Sequence, residues 1–131
     1  MKTRLCCLSE EHFNTCVAHK LWGANSTHPK KWDIGDILIF KVDNKLAGVA
    51  RVIGEAYIDD TKIWDNGLFF YRVELDFERV LTPENRIAFD GEIKDSFISL
   101  WGKSYGWVIL NKYPLPLSIR DLILSKFKMN A

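Results

Sequence analysis

No stretch of about 18 consecutive apolar residues occurs in this chain of 131, so a membrane-spanning helix is not expected. The amino terminus, Met1 to Arg4, leads into only a short apolar run and lacks the pattern of a secretion signal. Cysteine is scarce and odd in number. Cys6, Cys7 and Cys16 make neither a disulfide framework nor a metal-type repeat, and reduced thiols in a cytoplasmic setting are expected. Charge of one sign is lacking as well. With 18 Lys and Arg against 17 Asp and Glu, no global field attracts polyanions, and a nucleic-acid partner would need a local patch and a shaped site. The phosphate-cradling pattern G-x-x-x-x-G-K-[ST] is missing, as are repeats and low-complexity tracts, so a motor or nuclease would have to be a fused or associated protein. His12, His19 and His28 share no ligand spacing with the cysteines, and neither metal nor cofactor is expected.

What is present is aromatic residues and β-rich runs. Arg4 to Leu8 predicts a buried first strand. Ser9 then caps a helix with Glu10 and Glu11 in its first turn and an apolar stripe of Phe13, Cys16, Val17 and Leu21. Trp22 to Trp32 predicts a long polar loop. Asp36 to Val42 and Leu46 to Ile53, joined by Asp43-Asn44-Lys45, predict a hairpin in which Gly48 marks a bulge or a close backbone approach. A second long connection, 54–66, carries Tyr57 and Trp64, and 68–75 returns to strand, extending toward Val80. Ile93, Phe97 and Leu100 follow at helical spacing, and Tyr105 to Leu110 predicts a strand. Ser118 to Asp121 resembles a capping box for a last helix that turns Ile119, Leu122, Ile123 and Phe127 inward. A single domain over 1–131 follows from these elements and the length.

Three of the five tryptophans, Trp22, Trp32 and Trp64, fall in or beside the two long connections. There they either plug the mouth of a small barrel or form π-faced walls for a flat base taken out of its strand. Trp101 and Trp107 lie in regularly patterned segments and read as core. Cys16 and His19 are three residues apart on the first helix, but Cys16 belongs to the apolar stripe and reads as an inert thiol.

The run from Lys20-Leu21-Trp22-Gly23 through Gly35-Asp36 and Leu46-Ala47-Gly48-Val49-Ala50 resembles the EVE domain, in which a tryptophan-glycine loop precedes a Gly-Asp pair leading into a strand. Glu55 to Asp60, Ile63-Trp64 and Phe70 to Leu75 continue that resemblance, which covers about Arg4 to Val80 and loosens beyond it. It extends to the related YTH readers of N6-methyladenine. It implies an α+β, PUA-like (EVE/YTH-like) small β-barrel of about five or six strands flanked by short helices. It also implies a non-catalytic module for a modified base in DNA or RNA, as in methylation-dependent restriction systems.

By that resemblance Trp22 and Trp64 match two cage tryptophans, and Leu68 or Phe69 supplies a third wall. His12 or Asn14 falls near an asparagine that reads the base edge, with Asn25 and Ser26 adding polar contacts. Lys30, Lys31, Arg51 and Lys103 would meet phosphate, though a lysine pair in a loop is also ordinary solvated surface. The rival reading is the related ASCH amidohydrolases of modified nucleosides, whose Gly-x-Lys-x-x-Thr-x-Arg motif is not found in this sequence. Chemistry explains why indoles suit a methylated amine. One CH₂-sized group transfers for only about 0.8 kcal/mol, whereas stacking adds about 1–3 kcal/mol per base.

Overall fold

The computed structural model describes residues 1–129. Strand β1 (Thr3–Cys7) runs parallel to β3 (Ile37–Val42), which forms an antiparallel hairpin with β4 (Lys45–Val52). Next come the long β6 (Tyr71–Val80) and then β2 (Leu21–Ala24), giving the order β1-β3-β4-β6-β2. The two-residue strands β5 (Tyr57–Ile58) and β7 (Ile87–Ala88) add to β6 and β4. Short helices flank this curled sheet: α1 (Glu10–His19), α2 (Gly91–Trp101), α3 (Gly106–Leu110) and α4 (Leu117–Lys126).

The hairpin turn has positive φ at both Asp43 (46°) and Asn44 (62°), the two-residue geometry whose twist matches that of paired strands. β3 is buried on both faces. Ile37 and Ile39 join one core with Leu5, Val49 and the helices after β7, while Leu38, Phe40 and Val42 join a second with Phe13, Trp22 and Trp64. Because side chains alternate across a strand, one hydrophobic run serves two cores.

Three positions of the sequence resemblance have structural causes. Gly35 has φ +97°, which only glycine adopts without strain, and delivers Asp36 into the interior. The Asp36 carboxylate accepts from Arg4 (2.7 Å) and from the backbone N–H groups of Lys2 (2.9 Å) and Asp33 (3.0 Å), pinning β1 to β3. A Cβ on Gly48 would meet the Arg79 carbonyl at 2.9 Å and Phe13 Cζ at 3.2 Å, and the pairing shifts between Phe40 and Lys41 beside it. Gly48 thus combines a close approach with a bulge.

Four expectations are corrected. The segment after Trp22 does not open as loop: Leu21–Ala24 pairs with β6, Trp22 opposite Val73, because α1 stops at Lys20 in a left-handed cap and the chain is returned to the sheet. The Tyr105–Leu110 run is the short helix α3, since its backbone bonds locally, Val108 N–H to the Tyr105 carbonyl (2.9 Å) and Asn111 N–H to the Trp107 carbonyl (3.0 Å), and Val108 alone turns fully inward. Ser118 caps nothing. α4 starts two residues earlier, capped at Pro116, although Ile119, Ile123 and Phe127 are buried as expected. Trp107 is 44% exposed and not core.

Candidate functional site

The cavity of interest has a volume of about 550 Å³ and opens where the end of β1, the first turn of α1 and the β2 segment converge. Cys7, Leu8 and Ser9 form one side, and His12 projects from α1. Trp22 to Ser26 form another side, with His28 from a 3₁₀ turn. Asn66 and Phe69 close it from the 59–70 connection, and Lys112 from the turn after α3.

The aromatic residues are arranged in depth. Trp22 borders the cavity but is only 5% exposed, with Trp32 and Phe40 packed at ring centroid distances of 6.0 and 6.1 Å. Lys112 Nζ sits over the same indole, 5.4 Å from its centroid. Trp64 is 1% exposed and lies behind the cavity rather than in its lining. It stacks on His12 at 5.4 Å and meets the edge of Phe69 at 5.4 Å. His12 and Phe69 in turn touch edge to face at 4.6 Å. The two indoles expected as open loop walls are therefore core residues, one bordering the cavity and one bracing its lining. Gly23 makes that bracing fit, since a Cβ there would lie 2.4 Å from Trp64 Cη2.

Arg72, buried completely on β6, organises the 59–70 connection. Its guanidinium donates to the carbonyls of Thr61, Leu68 (3.1 Å) and Phe69 (3.3 Å), reaches Asp59 at 3.6 Å, and lies 5.2 Å from the Trp64 centroid. Phe69 adopts φ +46°, uncommon for a residue with a Cβ, and its N–H donates to Asn25 Oδ1 at 3.0 Å. Asn25 thus ties the two sides of the cavity together.

In two of the lining side chains a nitrogen, His12 Nε2 and Trp22 Nε1, is buried without a hydrogen-bond partner among the described residues. Burial lowers the His12 pKa below its ordinary value, so the imidazole is neutral at pH 7. Burial drives the Cys16 thiol up to about 12, and His19 is exposed at the end of α1, so they form no activated pair. Among the described residues no three potential metal ligands cluster, and no helix is long and apolar enough to cross a membrane.

The structure brings His12, Trp22, Asn25, Ser26 and Phe69 to one cavity. It places Asn14 elsewhere. Two residues along a helix turn the side chain by about 200°, so Asn14 faces a different groove with Glu11, Thr15 and Asp65. Leu68 is 46% exposed and outside the lining. Lys30 and Lys31 are exposed on the 3₁₀ turn, with Lys30 beside Trp32 and Glu55, and Lys103 is exposed after α2. Arg51 is engaged in an ion pair with Glu78. Sequence reasoning missed Lys112, Cys7, His28 and Asn66. Lys112 reaches the cavity only through a left-handed turn (φ +50°), for which its surroundings in the sequence carry no signal.

No family model matches the chain, and the comparison with curated proteins gives no match. Solved structures do match. The chain is similar to the YTH domain of Zygosaccharomyces rouxii MRB1 in complex with N6-methyladenosine RNA, at 16% identity and TM-score 0.69, over 99% of this chain and 88% of that one. It is similar to the Pho92 YTH domain in complex with m6A, at 18% identity and TM-score 0.67, over 99% and 85%. A hypothetical protein from Leishmania major matches at 16% identity and TM-score 0.59, over 98% and 95%. At these identities the likeness is one of fold, and the fold is YTH-like.

Proposed function

We propose that the cavity receives one methylated base turned out of a nucleic-acid strand, and that the protein binds this base without transforming it. The observation carrying this reading is the cavity itself: its volume lies in the usual range for small-ligand sites, Trp22 and Phe69 stand at its walls, and two of its lining side chains, His12 and Trp22, each hold a buried nitrogen with no partner among the described residues. An unpaired buried polar group costs about 1–3 kcal/mol, which a base edge carrying a donor and an acceptor relieves. The YTH-like fold adds support, because two of the similar domains were solved with N6-methyladenosine. The finer kinship to EVE domains rests on the Trp22-Gly23, Gly35-Asp36 and Gly48 motifs.

In this reading the base slides between Trp22 and Phe69 as Lys112 leaves the indole face, and the released ammonium becomes available to a neighbouring phosphate. Neutral His12 offers Nε2 as an acceptor for the one N–H that a methylated amine retains, while the methyl group lies against the rings.

The test compares oligonucleotides bearing N6-methyladenine, methylated cytosine or neither, as DNA and as RNA, at one fixed salt concentration. Selective retention of a modified strand is expected, weakened by about 1–3 kcal/mol in Phe69→Ala, whose side chain is half-buried and packs on the outside of the second core, with thermal melting to check that the variant is folded. Equal binding of modified and unmodified strands, or turnover of a modified nucleoside followed by mass, refutes the reading.

A further inference from the structure

The second aromatic concentration lies outside the cavity. Trp101, Trp107 and Tyr113 form a ring cluster with centroid distances of 6.4, 6.4 and 5.4 Å. Trp107 is 44% and Tyr113 48% exposed, and Leu110 beside them is 74% exposed. Rings of this size rarely stand in water without a partner.

We propose that Trp107 and Tyr113 form a stacking platform for nucleotides flanking the base held in the cavity. The proposal rests on the base-binding reading above and extends the contacted length of strand. Continuity is its first support. Tyr113 directly follows Lys112, whose Nζ lies over Trp22 in the cavity, so platform and cavity share one turn of chain. That turn is held firmly. The Asn111 N–H and its side-chain amide both donate to the Trp107 carbonyl (3.0 and 2.9 Å), the Lys112 N–H donates to Ile109 (3.1 Å), and the Tyr113 N–H donates to Val108 (2.9 Å).

Charge is the second support. Between Asp95 and Asp121 the sequence contains no acidic residue, although 17 are spread over the 131 positions, whereas Lys103 and Lys112 flank the rings. A run of chain that carries exposed π-faces beside two lysines and holds no carboxylate suits a polyanion with flat bases. An apolar protein partner would not require the carboxylates to be absent.

The experiment uses the full chain with a free N6-methyladenine nucleoside, a nine-nucleotide strand carrying the same base, and the unmodified strand. Trp107→Ala is expected to weaken both strands by the same factor, about tenfold or more, while nucleoside binding is unchanged. Trp107→Phe retains a π-face and should stay within a fewfold of wild type, whereas Trp107→Leu, apolar without one, should behave as Trp107→Ala. Thermal melting confirms that the variants are folded, and the Phe and Leu variants decide the question if the alanine variant is not. Strand affinity unchanged in Trp107→Ala, or equal in the Phe and Leu variants, overturns the platform. So does wild-type protein without affinity for any strand, or self-association by sedimentation that Trp107→Ala abolishes while strand binding persists. Failure of base reading looks different: wild type then binds both strands equally and still depends on the ring at Trp107.

Discussion

Replacing Lys112 with alanine should have opposite effects on a nucleoside and on a strand, because its side chain has two consequences for the cavity. Its ammonium lies 5.4 Å from the Trp22 centroid, within cation–π range, and it must leave before a base can stack there. Such a contact at a partly exposed site is worth about 0.5–1 kcal/mol, so removing it should tighten nucleoside binding about two- to fivefold. A strand also presents phosphate to the displaced ammonium. There the variant loses one ionic contact, and the slope of log K against log salt should become shallower by about 0.7, the value for one phosphate of a single strand. Tryptophan-fluorescence titration of the nucleoside, and strand titration at four or five salt concentrations, read the two effects separately. Nucleoside affinity unchanged in Lys112→Ala would refute the idea that Lys112 covers the stacking face. An unchanged salt slope would refute its contact with phosphate.

Two further outcomes follow from burial. Trp64→Ala empties a fully buried indole site beneath His12 and Phe69, and urea denaturation should show a loss of about 3–5 kcal/mol; a variant as stable as wild type would mean that Trp64 does not brace the lining. Arg72→Lys keeps the charge but cannot hold the carbonyls of Thr61, Leu68 and Phe69 at once, so proteolysis within 59–70 should accelerate, and an unchanged cleavage rate would remove Arg72 as organiser of that connection.

The sheet was legible where pattern and backbone agree. The Asp36–Val42 and Leu46–Ile53 hairpin follows from its β-rich runs and turn, and Gly35, Gly48 and the Ser9 cap fulfil roles set by local sterics and hydrogen bonding. Trp22-Gly23 misled in part because a tryptophan beside polar residues reads as loop, whereas its state is set by pairing with Val73 and Arg72, some 50 positions away. Tyr105–Leu110 failed for the opposite reason: a short apolar run has no period long enough to separate helix from strand. The motif residues behind the family resemblance govern close approach, turn geometry and an internal ion pair. They specify the fold, whereas the cavity also depends on Lys112, Asn66 and Arg72, which long-range geometry brings to it.

His12 is the residue at which fold and reading meet, and pH should expose it. Burial lowers its pKa from the ordinary 6.5, with Trp64 and Phe69 packed against the ring and Nε2 lacking a partner among the described residues. Between 6.5 and the lower folded value, the unfolded chain holds a proton that the folded chain lacks, so stability from this group is full above that window and declines as pH falls through it. Binding has the same sign if Nε2 accepts from the base. The lone pair is present at neutral pH, and below the folded pKa each unit of acidification should weaken binding about tenfold, as the proton competes for the same atom. His12→Gln keeps an acceptor without titrating there, so it should bind a modified nucleoside with an affinity flat from neutral to acidic pH, whereas His12→Ala should bind weakly throughout. His28 lines the same cavity and is replaced by glutamine in parallel, so that the two imidazoles are told apart. Acid weakening that persists in His12→Gln but vanishes in His28→Gln would move the acceptor role to His28. Affinity independent of pH in the wild type would mean that the base edge is read without either imidazole.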